Sequence, residues 1–322
     1  MTEEMPREFV RGDSIRLVVT HACQERCDFC HNEGNTDYSP GNIDTDKSVA
    51  FALQAREAFG IPIVHLTGGE PTLSPETPEL IRKLKAENFT VQMTTNGDWN
   101  PELLGKLADA GLDSLVFSLH AVTAEDFYKV QGMGQMKRNI EWCRTMMDRK
   151  FSNIREAKGR MNIKINTVLI NAEVTGRVLD FAIDEGIPIR LMRNLNLVSQ
   201  SESAIQQILQ ERDLVPIKEQ VALSDSSGAS TLYGFADKSR GEVSVKVKRF
   251  GDIYLESICG GCALRDTDNC RERFYGIRLE QDPKTRSMQA RLCIDRDDAV
   301  VPVENFFTSA HADALAFNYA RQ

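Results

Sequence analysis

The sequence predicts an α/β fold whose parallel strands curl into a partial (β/α)6 barrel, a TIM-like arrangement with a C-terminal auxiliary-cluster region. Two observations predict it. From residue 14 to about 195, short β-branched runs alternate with longer amphipathic segments. Four of the short runs are followed by polar or glycine-rich motifs, which in α/β folds mark the strand ends that bind ligands. A doubly wound open sheet is the alternative topology.

Six strands and five helices account for the alternation. The strands are predicted at residues 15–20, 61–66, 90–94, 114–118, 162–169 and 187–192. The helices between them are predicted at residues 47–59, 76–87, 101–110, 136–148 and 173–184. The boundaries agree with capping rules, because Asn100 and Pro101 supply a cap and a first-turn proline, and Gly60 and Gly111 follow helix ends.

Four motifs lie where the first four predicted strands end. They are the cysteine loop at 23–30, Thr67-Gly68-Gly69-Glu70-Pro71, Thr95-Asn96-Gly97 and Ser118-Leu119-His120. Because the C-terminal ends of parallel strands share one rim of the sheet, we expect these motifs to form a single ligand site.

The alternation stops near residue 196, so we predict a barrel core at 1–198 and a C-terminal extension at 199–322. Residues 199–230 are polar and are predicted as loops around one helix at 204–212. Residues 243–247 alternate like a half-exposed strand with Lys246 and Lys248 on one face, and the tail at 305–322 is predicted to be helical.

The composition is that of a globular protein, with 322 residues, 41% hydrophobic and 27% charged, a net charge of −8 and a pI of about 5.3. An acidic chain is poorly suited to binding nucleic acid by phosphate neutralisation. The sequence shows neither a membrane-spanning apolar run nor a signal peptide. We therefore expect a cytoplasmic protein that contacts neither nucleic acid nor membrane.

The first cysteine group has the spacing C-x3-C-x2-C, at Cys23, Cys27 and Cys30. Clustered cysteines without a secretory signal indicate metal binding more than disulfides. Three thiolates can hold three irons of a [4Fe–4S] cube and leave the fourth iron open. Zinc, with His21 or His31 as a fourth ligand, is the alternative.

The second group consists of Cys259, Cys262, Cys270 and Cys293. Its spacing allows a second [4Fe–4S] cluster, a four-cysteine zinc knuckle or a redox-active C-x2-C pair. The remaining cysteine, Cys143, is predicted to be a buried helix residue.

The first cysteine motif, with the aromatic Phe29 before its last cysteine, resembles the signature of the radical S-adenosylmethionine (SAM) superfamily. Gly68-Gly69-Glu70-Pro71 resembles the glycine-rich strand that binds the SAM amino group in that superfamily. The resemblance implies a [4Fe–4S] cluster on Cys23, Cys27 and Cys30 that binds SAM through its open iron. It also implies a set of SAM-binding residues: Phe29, Gly68, Gly69, Glu70, Thr95, Asn96 and Ser118.

In that superfamily one electron, from a donor such as flavodoxin or ferredoxin, cleaves SAM to a 5′-deoxyadenosyl radical. The radical then abstracts a hydrogen from the substrate, while the protein orients the substrate and excludes water.

A closer resemblance, over roughly residues 14–295, is to the GTP 3′,8-cyclase family of molybdenum-cofactor biosynthesis. It is carried by residues 14–20 (SIRLVVT), 27–34 (CDFCHNEG), 131–134 (QGMG), 164–166 (KIN), 189–190 (IR) and 276–279 (GIRL). The resemblance implies four substrate-side cations, at Arg16, Lys164, Arg190 and Arg278. It also implies a second cluster on Cys259, Cys262 and Cys293.

The chain departs from this family at expected cationic positions. A lysine and an arginine usual before Gly-Gly-Glu are Ile63 and His65 here, and an arginine near the last cysteines is Gly276. Charge-assisted contacts contribute about 1.5–3 kcal/mol each. The predicted substrate is therefore a nucleotide-like molecule less charged than GTP. Cys270 lies in an insertion, where it is a candidate fourth ligand that closes the second cluster.

The leading hypothesis is a radical SAM enzyme that abstracts hydrogen and then forms or rearranges C–C bonds in a nucleotide-like substrate. One alternative is a radical SAM enzyme that modifies a peptide or another small molecule with a twitch-type auxiliary cluster. A second alternative is a non-enzymatic metal-binding or redox-sensing protein.

Overall fold

The computed structural model of the protein describes residues 5–30, 43–131, 139–249, 253–265, 270, 273–296 and 298–320. Several predicted features lie outside these residues. They are the ligand alternative His31, the motif at 32–34, the glycine turn at 132–134, the predicted helix start at 136–138, and the last two residues of the tail.

One mixed sheet contains all thirteen strands of the described chain. The strands are β1 (Arg7–Val10), β2 (Ser14–Thr20), β3 (Ile63–Gly68), β4 (Thr90–Thr95), β5 (Ser114–Ser118), β6 (Asn162–Val168), β7 (Ile189–Met192), β8 (Leu214–Ala222), β9 (Ser230–Phe235), β10 (Val245–Lys248), β11 (Arg278–Gln281), β12 (Met288–Arg291) and β13 (Val300–Pro302). Their order is β1-β8-β9-β10-β7-β6-β5-β4-β3-β2-β11-β12-β13.

Ten α-helices accompany the strands in the described chain. They are α1 (Thr45–Phe59), α2 (Thr77–Ala86), α3 (Glu102–Asp109), α4 (Ala124–Val130), α5 (Ile140–Lys158), α6 (Ala172–Asp184), α7 (Val198–Gln210), α8 (Glu256–Cys259), α9 (Val303–Phe306) and α10 (Ala310–Ala320). None of these helices is long and apolar enough to cross a membrane.

The six central strands, β2 to β7, are parallel neighbours in chain order. Sequential order with right-handed crossovers places the connecting helices on one face of a curled sheet, whereas a doubly wound sheet reverses its strand order. The described sheet ends at β1 and β13 instead of closing on itself. The predicted partial barrel is therefore confirmed.

Within the barrel core, helix boundaries follow local capping, with one additional helix and one extended helix. The α1 helix begins after Asp44, whose Oδ1 accepts from the Lys47 amide, and ends at Gly60 with φ of 69°. The α4 helix was not predicted. The α5 helix continues to Lys158, past the predicted end at 148. The charged run at 148–150 does not end the helix, and its Lys150 is buried on the inward face.

The C-terminal strands extend both edges of the same sheet. β8, β9 and β10 continue from β7, and β11, β12 and β13 continue from β2. The helix predicted at 204–212 is confirmed by α7, but the loops predicted around it are wrong, because β8 and the start of β9 occupy much of the rest of the segment at 199–230. The polar composition has a structural reason, since β8 pairs with β1 through exposed ion pairs such as Lys218–Glu8 at 3.2 Å. The domain division at residue 198 stays a prediction.

Side chains along the central strands point alternately into the hydrophobic core and into the barrel interior. Leu17, Leu66, Met93, Ile165 and Leu191 are fully buried in the hydrophobic core. The residues next to them along each strand point into the barrel, where several line a cavity. The fold thus supplies an interior wall of polar side chains on a rigid sheet.

Candidate active site inside the barrel

A cavity of about 660 Å³ occupies the barrel interior. Its described wall contains eight arginine and lysine side chains and one acidic one, Asp13. The cations are Arg11, Arg16, Lys164, Arg190, Arg193, Lys246, Lys248 and Arg278. In a chain with a net charge of −8, such a local excess of positive charge favours an anionic ligand.

The four cations implied by the family resemblance, Arg16, Lys164, Arg190 and Arg278, all line this cavity. Strand register explains the arrangement, because Arg278 lies beside Arg16 across β11 and β2, and Arg190 lies beside Lys246 across β7 and β10. The side chains of Lys164 and Arg190 form no hydrogen bond or ion pair within 4.0 Å with another described residue, although Asp13 attracts Lys164 from a greater distance. Two unpaired cations on adjacent strands are suited to charge-assisted contacts with an anion.

Lys246 and Lys248 also face the cavity, which sequence reasoning did not recognise. The strand was predicted to be half-exposed, but β10 pairs parallel with β7, and this pairing turns the lysine face into the barrel. Lys248 is 7% exposed, and Lys246 Nζ donates to Gln220 Oε1 at 3.0 Å. The sequence feature that could have identified them is the alternating pattern, which places both lysines on one face of the strand.

Three cations surround the ring of Tyr275. Arg16 lies 3.9 Å, Lys248 4.8 Å and Arg278 5.7 Å from the ring centroid. Burial raises the pKa of Tyr275, but Arg16, Lys248 and Arg190 outweigh it and lower that pKa to about 7. Burial lowers the pKa of Lys248 to about 8. The electrostatics of this wall therefore change near neutral pH.

His65 stands on β3 at a position where the family resemblance implies a cation. Burial and the neighbouring Arg16 lower the pKa of His65 to about 3. Its Nε2 lies 2.6 Å from the Thr94 hydroxyl, so the neutral imidazole forms a hydrogen bond within the wall. His65 thus contributes polarity but no charge to the cavity.

The first cysteine loop lies at the end of β2, beside the cavity. Cys30 is exposed and lines the cavity, and its amide donates to the Cys27 carbonyl at 3.0 Å. Cys23 and Cys27 are half-buried. Burial, with Glu25 nearby, raises the pKa of Cys23 to about 12 and raises that of Cys27 as well. No three His, Cys, Asp or Glu side chains of the described chain surround a single point as the ligands of one metal ion would. A [4Fe–4S] cluster does not need that arrangement, because each thiolate binds a different iron.

The glycine motif after β3 docks this loop against the sheet. The Gly69 amide donates to the Thr20 carbonyl and the Glu70 amide to the Ala22 carbonyl, both at 2.8 Å. A Cβ on Gly69 would lie 2.2 Å from the Ala22 oxygen, and Gly68 has φ of 130°. Sequence reasoning assigned the glycines to close approach of a ligand. In the structure, they allow close approach to Thr20 and Ala22, which lead into the cysteine loop, and the ligand role stays a prediction.

Glu70 is fully buried and joins two strand ends. Its Oε1 accepts from the Thr72 amide (3.1 Å), the Thr72 hydroxyl (2.7 Å) and the Thr95 hydroxyl (2.8 Å), and its Oε2 accepts from the Asn96 amide (2.6 Å). Burial outweighs these hydrogen bonds and raises the pKa of Glu70. The Nδ2 of Asn96 is buried and has no hydrogen-bond partner among the described residues. The described residues therefore leave the hydrogen-bonding capacity of this side-chain amide unused.

The other predicted SAM-binding residues lie on the same rim. Ser118 ends β5 beside Asn166 of β6, and Phe29 packs edge-on against His120 at 4.6 Å between ring centroids. The His120 Nδ1 accepts from the Val168 amide at 3.1 Å. The structure thus brings the predicted cysteine, glycine and strand-end residues to one end of the parallel strands.

The second cysteine group belongs to the C-terminal segments around α8 and β12. Cys259 ends α8, and its carbonyl accepts from the Cys262 amide at 3.2 Å. Burial raises the pKa of Cys259, and the nearby thiols of Cys270 and Cys262 raise it further. Cys293 follows β12, and its neighbour Ile294 lines the cavity. The remaining cysteine, Cys143, is buried in α5, as predicted.

Residues 17–181 match the family model described as the radical SAM superfamily. The chain belongs to the radical SAM superfamily. It is therefore an enzyme, and the family implies a [4Fe–4S] cluster and SAM. The non-enzymatic alternative is set aside.

Relatives support the assignment along most of the chain. A probable GTP 3′,8-cyclase from Metallosphaera sedula is 31% identical over 302 residues, which cover 90% of this chain and 83% of the relative. One from Sulfolobus acidocaldarius is 30% identical over 317 residues, 93% of this chain and 87% of the relative.

Two solved structures with bound SAM share the fold. SuiB from Streptococcus suis bound to SAM has a TM-score of 0.57 at 13% identity, covering 94% of this chain and 67% of that one. Native anSMEcpe with bound AdoMet has a TM-score of 0.56 at 14% identity, covering 94% and 82%.

Proposed function

We propose that this radical SAM enzyme abstracts hydrogen from a nucleotide-like anionic substrate and then forms or rearranges C–C bonds in it. The observation that carries the proposal is the cation-lined cavity, whose wall includes Cys30 of the first cysteine group and Ile294 beside Cys293 of the second. A substrate in this cavity lies between the two groups, and the relatives named as GTP 3′,8-cyclases act on a nucleotide.

The residues present suit the family's cofactors. Cys23, Cys27 and Cys30 offer three thiol donors on one short loop, the donor number that leaves one iron of a [4Fe–4S] cluster open. The side-chain amide of Asn96, whose Nδ2 has no partner among the described residues, and the backbone near Gly68 offer polar contacts for SAM on the same rim. When bound, the cluster and SAM supply the 5′-deoxyadenosyl radical.

The charge of the cavity revises the expected substrate charge. The sequence argument for a less charged nucleotide rested on the cations missing at Ile63, His65 and Gly276. Lys246 and Lys248 bring two further cations to the cavity wall, on β10. The cavity charge therefore suits a triphosphate as well as a smaller phosphate, and GTP is the first nucleotide to test.

The protein's own groups bind and orient the substrate in this proposal. Lys164 and Arg190 contact its anionic part from adjacent strand ends, and Arg16 and Arg278 hold the Tyr275 face of the cavity. The buried strand walls restrict access of water to the reacting groups.

For the second cysteine group we propose an auxiliary [4Fe–4S] cluster with Cys270 as the fourth ligand beside Cys259, Cys262 and Cys293. The electrostatic effect of the Cys270 thiol on Cys259 supports its proximity. Anaerobic reconstitution should give roughly eight irons per chain, against about four irons plus one zinc for a structural knuckle. Cys270→Ala should change the iron count or the spectrum, whereas Cys143→Ala, the buried α5 control, should not. An unchanged Cys270→Ala protein contradicts the assignment.

Activity tests the substrate proposal. Reconstituted, reduced protein should convert SAM to 5′-deoxyadenosine, and GTP or a nucleoside mono- or diphosphate should accelerate this conversion. Lys164→Met and Arg190→Met should each raise the nucleotide KM by about 10–100-fold, the equivalent of one charge-assisted contact. Lys158→Met, on the exposed face of α5, is the matched control and should leave KM unchanged.

Two results contradict the proposal. Absence of SAM cleavage in cluster-loaded protein refutes the assigned chemistry. Stimulation by a peptide, with no response to any of the nucleotides, favours the peptide-modifying alternative.

A further inference from the structure

A buried ion pair lies directly beneath the first cysteine loop. Glu25, between Cys23 and Cys27, is 5% exposed, and Lys150 of α5 is 1% exposed. Glu25 Oε1 and Lys150 Nζ are 2.5 Å apart, although 125 positions separate them in the chain. Burying two charges costs several kcal/mol per ion even after relaxation, and an apolar pair of similar volume is often at least as stable. Bracing the loop alone therefore does not require charges here.

The ion pair continues to the thiol of Cys27. Glu25 Oε2 lies 3.7 Å from Cys27 Sγ and 3.3 Å from Gln131 Nε2. The same Gln131 nitrogen lies 3.4 Å from Cys27 Sγ, and Gln131 Oε1 accepts from the Arg26 amide at 2.8 Å. One carboxylate and one amide thus contact this sulfur, and the ammonium contacts the other oxygen of the carboxylate.

The arrangement has a consequence when Cys27 is a thiolate ligand. A thiolate cannot donate to Glu25, so a carboxylate beside it adds negative charge at the ligand. Lys150 offsets that charge from the far side of Glu25, while the Gln131 amide donates to the sulfur. Net charge and hydrogen bonds to ligand sulfurs are among the factors that set the potential of an iron–sulfur cluster.

We propose that Lys150, acting through Glu25 and together with Gln131, is a positioning residue that holds Cys27 and sets the reduction potential of the SAM-binding cluster. The inference rests on the proposed placement of that cluster on Cys23, Cys27 and Cys30. It concerns side chains that lie behind the loop and do not line the substrate cavity.

The test is a double-mutant cycle on the full-length, reconstituted protein, with the cluster potential measured by EPR-monitored titration. Lys150→Met leaves an unscreened carboxylate beside Cys27 and should shift the potential downward. Glu25→Gln removes the carboxylate charge and should shift it upward. The double variant replaces two opposite charges, whose sum is zero, with two uncharged side chains. Its cluster potential should therefore return toward that of the wild type. Lys158→Met, a loss of the same charge on the exposed face of the same helix, should leave the potential unchanged.

The cycle separates a structural brace from a positioning role. If Glu25→Gln and Lys150→Met lower only thermal stability and both keep the wild-type potential, the proposal is overturned. Shifts of the same sign in the two single variants overturn it as well. If Lys150→Met does not accumulate as folded protein, the nearly isosteric Glu25→Gln decides by itself. Failure of the wild-type protein to bind a [4Fe–4S] cluster instead refutes the underlying function.

Discussion

Replacing Glu70 with glutamine should destabilise the junction between the ends of β3 and β4. In the wild type, Oε1 receives three hydrogen bonds and Oε2 one, from the Asn96 amide at 2.6 Å. The glutamine keeps its oxygen for the three donors from Thr72 and Thr95. Its NH2 group then faces the Asn96 N–H, so two donors meet and neither has an acceptor.

The magnitude follows from that single exchange. A hydrogen bond to a charged group contributes about 1.5–3 kcal/mol, and a buried donor left without a partner costs about 1–3 kcal/mol. Part of this loss is recovered, because the glutamine removes the cost of burying a charge, the same cost that raises the pKa of Glu70. We expect the free energy of unfolding to fall by about 2–4 kcal/mol. Glu102→Gln, an exposed first-turn residue of α3, is the matched control and should stay within about 0.5 kcal/mol.

Three measurements check this expectation. Urea denaturation of the cluster-loaded protein gives the change in the free energy of unfolding. Hydrogen exchange should show faster exchange of the Asn96 backbone N–H in Glu70→Gln. SAM affinity, measured by calorimetry, should fall only as far as the rim loosens. A variant with wild-type stability and a large loss of SAM affinity would refute the reasoning, because it would show that the carboxylate serves the ligand directly.

Three further predictions concern the rim, the C-terminal helix and the cavity. Gly69→Ala should undock the cysteine loop, lowering stability by about 1–3 kcal/mol and reducing bound iron, whereas Gly105→Ala in open space on α3 should stabilise the protein by about 0.5–1 kcal/mol. Tyr319→Phe removes the 2.7 Å hydrogen bond to the buried Asp225 carboxylate and should lower the denaturation midpoint by an amount equivalent to about 1.5–3 kcal/mol. GTP affinity should weaken as pH rises through about 8, because Lys248 then loses the charge that attracts the anion. The ratio of wild-type to Lys248→Met affinity cancels the ionisation of GTP itself, and a ratio that does not change with pH would contradict this assignment.

Much of the fold was predictable from local pattern. The six parallel strands follow from β-branched runs between amphipathic segments, and caps such as Asp44 and Gly60 define helix limits because they satisfy or end local backbone hydrogen bonding. The polar strand β8 was not predictable in this way. Its residues form a strand because β1 and β9 supply hydrogen-bonding partners, and β1 lies about 210 positions away in the chain.

The residues of the candidate site also fall into those that the sequence predicted and those that it did not. The positions of Arg16, Lys164 and Arg190 follow from strand alternation and the family resemblance. The direction in which Lys246 points does not follow from the sequence. An alternating pattern of polar and apolar residues is the same whether the polar face meets solvent or a barrel interior. Pairing with β7 decides the direction, and it changes the estimate of cavity charge.

By itself the sequence determined the cysteine spacing, the order of the central strands and the glycines that allow close backbone approach, because each depends on residue type and short-range spacing. Only the tertiary structure decided what those features meet. It placed Glu70 under Thr95 and Asn96, paired Glu25 with Lys150, and turned the β10 lysines toward the cavity. These contacts join residues distant in the chain, and their energies depend on burial and packing, which arise only when the sheet curls and the helices close over it.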